Sequence, residues 1–259
     1  MSLRRQPGWI GAQRSGGGSQ ATAARAVGKV PAPPWSIEDL ARASLLGEHA
    51  FMDTETVVRT RRALHAVAEL VLAGPQYRAS GTIRLRACAG GFATSVEPQL
   101  RVIGAELVAP GQVLSLEWTT CTALGAALGL TVGAPAGLYQ DGPGIAADDA
   151  VEADPSAARR LAHCFALGDA ALRGLFPGAE PVIWPEHFDI GVTVGEVNYG
   201  VSPGDAFRPE PYAYVGPHTF RQGEFWNAPF GAARTIRELG GAIGVMAFLE
   251  QGHRLAVGN

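Results

Sequence analysis

A chain of 259 residues is long enough to bury a sizeable core, as one large domain or two small ones. Its 47% hydrophobic and 17% charged residues are those of a globular protein and exclude global disorder. A net charge of −3 argues against a general nucleic-acid binder, which needs a basic surface to displace counterions from phosphates.

Lys29 is the single lysine and every other basic residue is arginine. In a chain so rich in Ala and Gly, that reads as GC-rich coding rather than a phosphate site. Cys88, Cys121 and Cys164 are far apart and show no metal-ligand spacing. They are expected as reduced, mostly buried thiols of a reducing compartment. His163 precedes Cys164 directly, but adjacent helix residues point about 100° apart, so no nucleophile–base pair follows. No apolar run reaches the roughly 18 residues of a membrane span. Arg4 and Arg5 are not followed by an apolar signal region. The expectation is a cytoplasmic protein with no membrane partner.

Residues 1–35 are a low-complexity tail of Gly/Ser and Pro runs that cannot offset the entropy of ordering. Its basic residues could touch an acidic partner, although an inert leader is the simpler reading. A single α+β domain is expected over 36–259. Ser36 and Asp39 resemble a capping box and predict a short helix over Ile37–Leu46. Asp53 or Thr54 then caps a longer helix, whose stripe of Val57, Leu64, Val67, Leu70 and Val71 stops before Gly74-Pro75. His65 reads as a boundary residue, with Glu69 the only acid at helical spacing from it.

From Thr82 the period becomes two. Ile83, Leu85 and Ala87 alternate with Arg84, Arg86 and Cys88, a strand with one dry face. Gly90-Gly91 turns the chain into a return strand over Phe92–Val96, and Leu100–Val108 and Val113–Leu116 read as further strands. Arg84 and Arg86 share a face that could hold an anion, but solvation explains them as well. Thr119 or Thr120 caps a helix through Leu128, ended by Gly129. The acidic stretch Gly133–Pro155 reads as a linker. Its Gly142-Pro143-Gly144 lacks the context of a dinucleotide site or phosphate loop, and calcium-loop spacing is absent. Asp154-Pro155 opens a helix over Ser156–Phe176. A last helix spans Thr235 to about Gln251, weakened at Gly240-Gly241.

Helix then strands thus occurs twice, in possible halves 54–132 and 154–251. The fold class is α+β: an antiparallel sheet with packed helices, possibly two helix-plus-strands repeats.

The stretch 181–234 concentrates aromatic and ionisable side chains between turn residues. Read as one strand, Val182–Val194 puts Trp184, Glu186, Phe188 and Ile190 on one face and Pro185, His187, Asp189 and Gly191 on the other. His187 and Asp189 then project together about 7 Å apart. With His218 they have the layout of a two-His-one-carboxylate site for a divalent metal. A metal-free reading makes His187 a base tuned by Asp189 or Glu186. There is no nucleophile elbow, and Ser202 sits in a turn signature. In the third reading, Trp184, Tyr199, Tyr212, Tyr214, Trp226 and Asn227 form a polar, aromatic pocket or interaction surface. The same aromatics could equally be core, with His187 and Asp189 holding a loop.

The runs WPEHFDIG, NYGVSPGD, PEPYAYVGP and FWNAPFGAAR resemble an uncharacterised bacterial family of conserved hypothetical proteins. HFDIGVTV, PEPYAY and the C-terminal helix are similar to a domain-of-unknown-function family. The resemblance covers roughly Val57 to Leu249, matches His187 and Asp189 but not His218, and implies no activity. Small-ligand binding is the leading functional expectation. A mononuclear metal-dependent enzyme, oxygenase-like or hydrolytic, is the alternative, and no other cofactor is expected.

Overall fold

The computed structural model describes residues 53–139 and 142–258. The expected tail over 1–35 and the helix over Ile37–Leu46 lie outside them. Helix α1 (Thr54–Ala66) starts where the Asp53 carboxylate accepts the Glu55 and Thr56 amides. The helical path does not stop at Gly74-Pro75. It continues through a π-helical stretch (Val67–Ala73) into α2 (Gly74–Ser80), and Gly81 ends it in a left-handed conformation. Proline removes a donor and crowds the preceding turn, and the wider π turn accommodates this. The Leu70 carbonyl that Pro75 cannot serve accepts instead from the Gly133 amide at 2.9 Å.

The strands are β1 (Leu85–Cys88), β2 (Gly91–Thr94), β3 (Arg101–Ile103), β4 (Glu106–Ala109), β5 (Gln112–Ser115), β6 (Glu117–Thr120), β7 (Ala150–Glu152), β8 (Val182–Trp184), β9 (Asp189–Val194), β10 (Val197–Ser202), β11 (Tyr212–Pro217) and β12 (Ala232–Thr235). The stretch expected as one strand over Leu100–Val108 is two, because Gly104-Ala105 makes a tight turn between β3 and β4. The acidic linker contributes β7, which pairs with β6. The other helices are α3 (Cys121–Leu128), α4 (Pro155–Leu175), α5 (Ile236–Leu239) and α6 (Ala242–Val257). Asp154 caps α4 through the Ser156 and Ala157 amides, as its sequence implies. The last helix, expected as one, is broken into α5 and α6 by Gly240 and Gly241, both at positive φ.

Ten strands form one antiparallel sheet in the order β12-β11-β10-β9-β8-β1-β2-β3-β4-β5. Each half is a helix followed by a five-stranded meander, and the two meanders meet where their first strands pair, Leu85 opposite Ile183. The α+β architecture and its helix-plus-strands repetition are therefore as expected. Leu85, Ile183, Ile190, Val201, Ala213 and Val215 are buried on one face of the sheet. There α4 crosses β1, β2, β9 and β10, α6 packs on β11, and α1 packs on α4. Each fully buried Val, Leu or Ile of this set contributes about 1.5–3 kcal/mol. Cys121 and Cys164 are buried, and burial pushes both thiols up to about 12, far from a nucleophile's range.

Candidate functional site

WPEHF is not a strand. Pro185, Glu186, His187 and Phe188 form the turn between β8 and β9, closed by the His187 and Phe188 amides on the Trp184 carbonyl at 3.3 and 2.7 Å. Trp184 and Asp189 are register partners across this hairpin. The expected alternation through 185–188 is thus replaced by a turn, with His187 exposed at its tip and Asp189 buried at its base. Phe188 has φ 54, a strained position for a bulky residue, and its ring explains why it is held there. It is 1% exposed and packs edge-on against Phe92 and Phe165, with centroids 5.4 and 5.0 Å away. The same ring stacks on His65 at 5.2 Å.

His65 approaches the Pro185 carbonyl through Nε2 at 2.6 Å. A carbonyl only accepts, so the imidazole donates from Nε2. Burial holds its pKa down to about 4, and the ring is neutral. This helix residue, expected at a boundary, therefore anchors the β8–β9 turn to α1.

On the sheet face away from α4, Tyr214 lies across Gly200 and Gly191. A Cβ at Gly200 would stand 2.4 Å from the Tyr214 hydroxyl, and one at Gly191 2.9 Å from it. The glycines give that hydroxyl a path to Asp189 Oδ2, to which it donates at 2.5 Å. Asp189 is 5% exposed, and its Oδ1 has no hydrogen-bond partner among the described residues. Burial raises the Asp189 pKa, opposed by His187 and by the Tyr214 hydrogen bond.

The SPGD run builds the adjoining wall. Ser202 Oγ accepts the Gly204 amide, so this serine shapes a turn, as its signature implies. Asp205 Oδ1 accepts the Phe207 and Arg208 amides at 2.9 Å each, and Tyr212 donates to its Oδ2 at 2.5 Å. Arg61 of α1 clips the loop by donating from Nη1 to the Pro209 carbonyl at 3.0 Å. Between these elements lies a cleft of about 400 Å³. Arg61, Arg62 and His65 line it from α1, Glu186 to Asp189 from the turn, and Gly204 to Ala206 with Tyr212 from the second half. Gly142 and Pro143 of the linker close one side.

Next to the cleft, Glu69 is buried in the π-helical stretch. Burial pushes its pKa up to about 7, opposed by the Tyr139 hydroxyl and assisted by Glu186. The folded carboxyl keeps its proton to about 7, whereas an ordinary one ionises near 4.5. Its contribution to stability is therefore full below 4.5 and lost as the pH rises through 7. His65 acts in the opposite sense: its contribution is full above 6.5 and lost as the pH falls through about 4. Glu69→Gln is expected to flatten the fall in stability between about pH 4.5 and 7, read as urea midpoints. A variant with the parent's slope would remove Glu69 as the cause.

The residues expected from sequence are dispersed. Glu186, His187, Asp189 and Tyr212 line the cleft, and Tyr214 supports it through Asp189. Trp184 lies outside it, under the Arg84 guanidinium at 5.9 Å. Tyr199 faces the helices, where its hydroxyl meets His253 Nδ1 at 2.9 Å. Trp226 packs beside Phe225, and Asn227 pairs with the Ala233 backbone through two 3.0 Å hydrogen bonds, closing the edge strand β12. His218 follows the far end of β11 from Tyr212, roughly 20 Å along the strand by the rise per residue. The structure does not bring His218 to His187 and Asp189, and no group of three or more metal-ligating side chains is assembled among the described residues. No described helix is long and apolar enough to cross a membrane.

Sequence reading missed Arg61, Arg62, Asp205 and the part played by His65 and Glu69. One signal was present: Arg61, His65 and Glu69 recur every fourth residue, which sets them on one helix face. No family model, curated protein or solved structure matches the chain.

Proposed function

We propose that this protein binds a small polar molecule in the cleft between α1, the β8–β9 turn and the loop after β10. The observation that carries the reading is Asp189 Oδ1, a buried acceptor beside a cavity to which no other described residue donates. Leaving such an atom unsatisfied costs about 1–3 kcal/mol, a cost that a ligand's donor removes. The volume is at the small end of the ligand-pocket range. The remaining walls are already fixed by Tyr214, His65 and Arg61, so a ligand meets a pre-organised site.

Ala206 lines the cleft from an exposed loop position. Ala206→Trp is expected to fill the mouth and leave the fold intact. In a ligand-observed NMR screen of polar fragments of mixed charge, the parent chain should give hits that this variant loses. Hits retained by a folded Ala206→Trp chain would contradict the reading.

A further inference from the structure

We infer that the ligand of this cleft is headed by a cationic nitrogen, a primary amine or a guanidinium, that docks on Asp189 Oδ1. The inference rests on the binding reading above and names its chemical class. At the inner end of the cleft the demand is for a donor. Asp189 is more than nine-tenths buried, one oxygen is occupied by Tyr214, and the other meets no side-chain donor among the described residues, only the field of the residue's own amide.

The positive charges nearby do not answer it. Arg61 spends Nη1 on the Pro209 carbonyl and sits in the field of Asp205. His65 is turned to the Pro185 carbonyl and is neutral. Arg62 and His187 are exposed at the mouth, where His187 acts on Asp189 through its charge and leaves the buried acceptor itself to a ligand. An anionic head would instead meet Asp189, Asp205 and Glu186 together. A buried carboxyl is satisfied best by a partner that brings both charge and hydrogen.

Calorimetric titration of the full chain with putrescine, butanediol and succinate tests this, the three being of equal length with cationic, neutral and anionic ends. Putrescine is expected to bind, and the other two to bind at least roughly tenfold more weakly. Asp189→Asn preserves shape and should lower putrescine affinity by about tenfold to a hundredfold. If that variant does not fold, the order of the three compounds on the parent chain and their loss in Ala206→Trp carry the test. Putrescine binding unchanged in a folded Asp189→Asn chain would overturn the inference. Succinate binding that Ala206→Trp abolishes would overturn the amine and leave the cleft standing. Silence from all three overturns the amine too, and the mixed-charge fragment screen then decides the cleft separately.

Discussion

Adding one methyl group at Gly200 is expected to destabilise the protein by about 2–4 kcal/mol and to detach Tyr214 from Asp189. The Cβ of Gly200→Ala would lie 2.4 Å from both Cζ and the hydroxyl of Tyr214 and 2.6 Å from the Ile190 carbonyl. The carbonyl belongs to the neighbouring strand β9, paired to β10 on both sides of that point, and cannot retreat. The tyrosine must therefore move, and with it goes the hydrogen bond that fixes one Asp189 oxygen. Chemical denaturation reads the loss. A double-mutant cycle assigns it: Tyr214→Phe should cost appreciably in the parent and little in the Gly200→Ala background. Equal costs in both would show that the glycine does not control this contact.

Phe188→Ala is expected to cost about 3–5 kcal/mol, the cost of removing a fully buried aromatic whose neighbours cannot collapse. Phe92, Phe165 and His65 each touch this ring, and each is held by a different element, β2, α4 and α1. The residue joins core to cleft, since its backbone shapes the turn that presents Glu186 and His187 while its ring plugs the interior. Phe188→Leu, which keeps most of the volume, should lose much less. Urea midpoints of the three chains make the comparison, and a loss under about 1 kcal/mol for alanine would contradict this packing account.

Local signals were legible wherever a short-range rule has one physical solution. The alternation of Leu85 and Ala87 with Arg84 and Arg86, the Asp154-Pro155 helix start and the Thr120 cap all appear as the sequence implies. The errors share a cause. Pro185 to Phe188 carries no Asn-Gly or Asp-Gly signal, and Pro185 is its one strand breaker, so only the tertiary packing of Phe188 fixes where the turn lies. Gly74-Pro75 reads as a stop only if the helix is strictly α. The π-helical stretch and the Gly133 amide satisfy what proline removes, and both depend on a segment about sixty residues away.

The candidate site was legible in part for the same reason. His187 and Asp189 were conspicuous, but their separation into tip and base follows from the turn. Arg61 and His65 on α1 and Glu69 in the π-helical stretch form a line whose meeting with residues 185–189 is tertiary. Tyr214 reaches Asp189 only because β9 and β10 both place glycine beneath it, in a register that neither strand specifies alone.

The most direct test of the central claim, that this cleft is a ligand site, is amide chemical-shift mapping of the isotopically labelled chain during titration with the strongest binder from the fragment screen. The account predicts saturating shifts at His65, Phe188, Asp189, Asp205 and Ala206, with Asn227 and His218 unmoved. Saturating shifts centred instead on the shallow groove that Phe225 and Trp226 form with Gly244, Phe248 and Gln251 of α6, with the amides around Asp189 still, would contradict it.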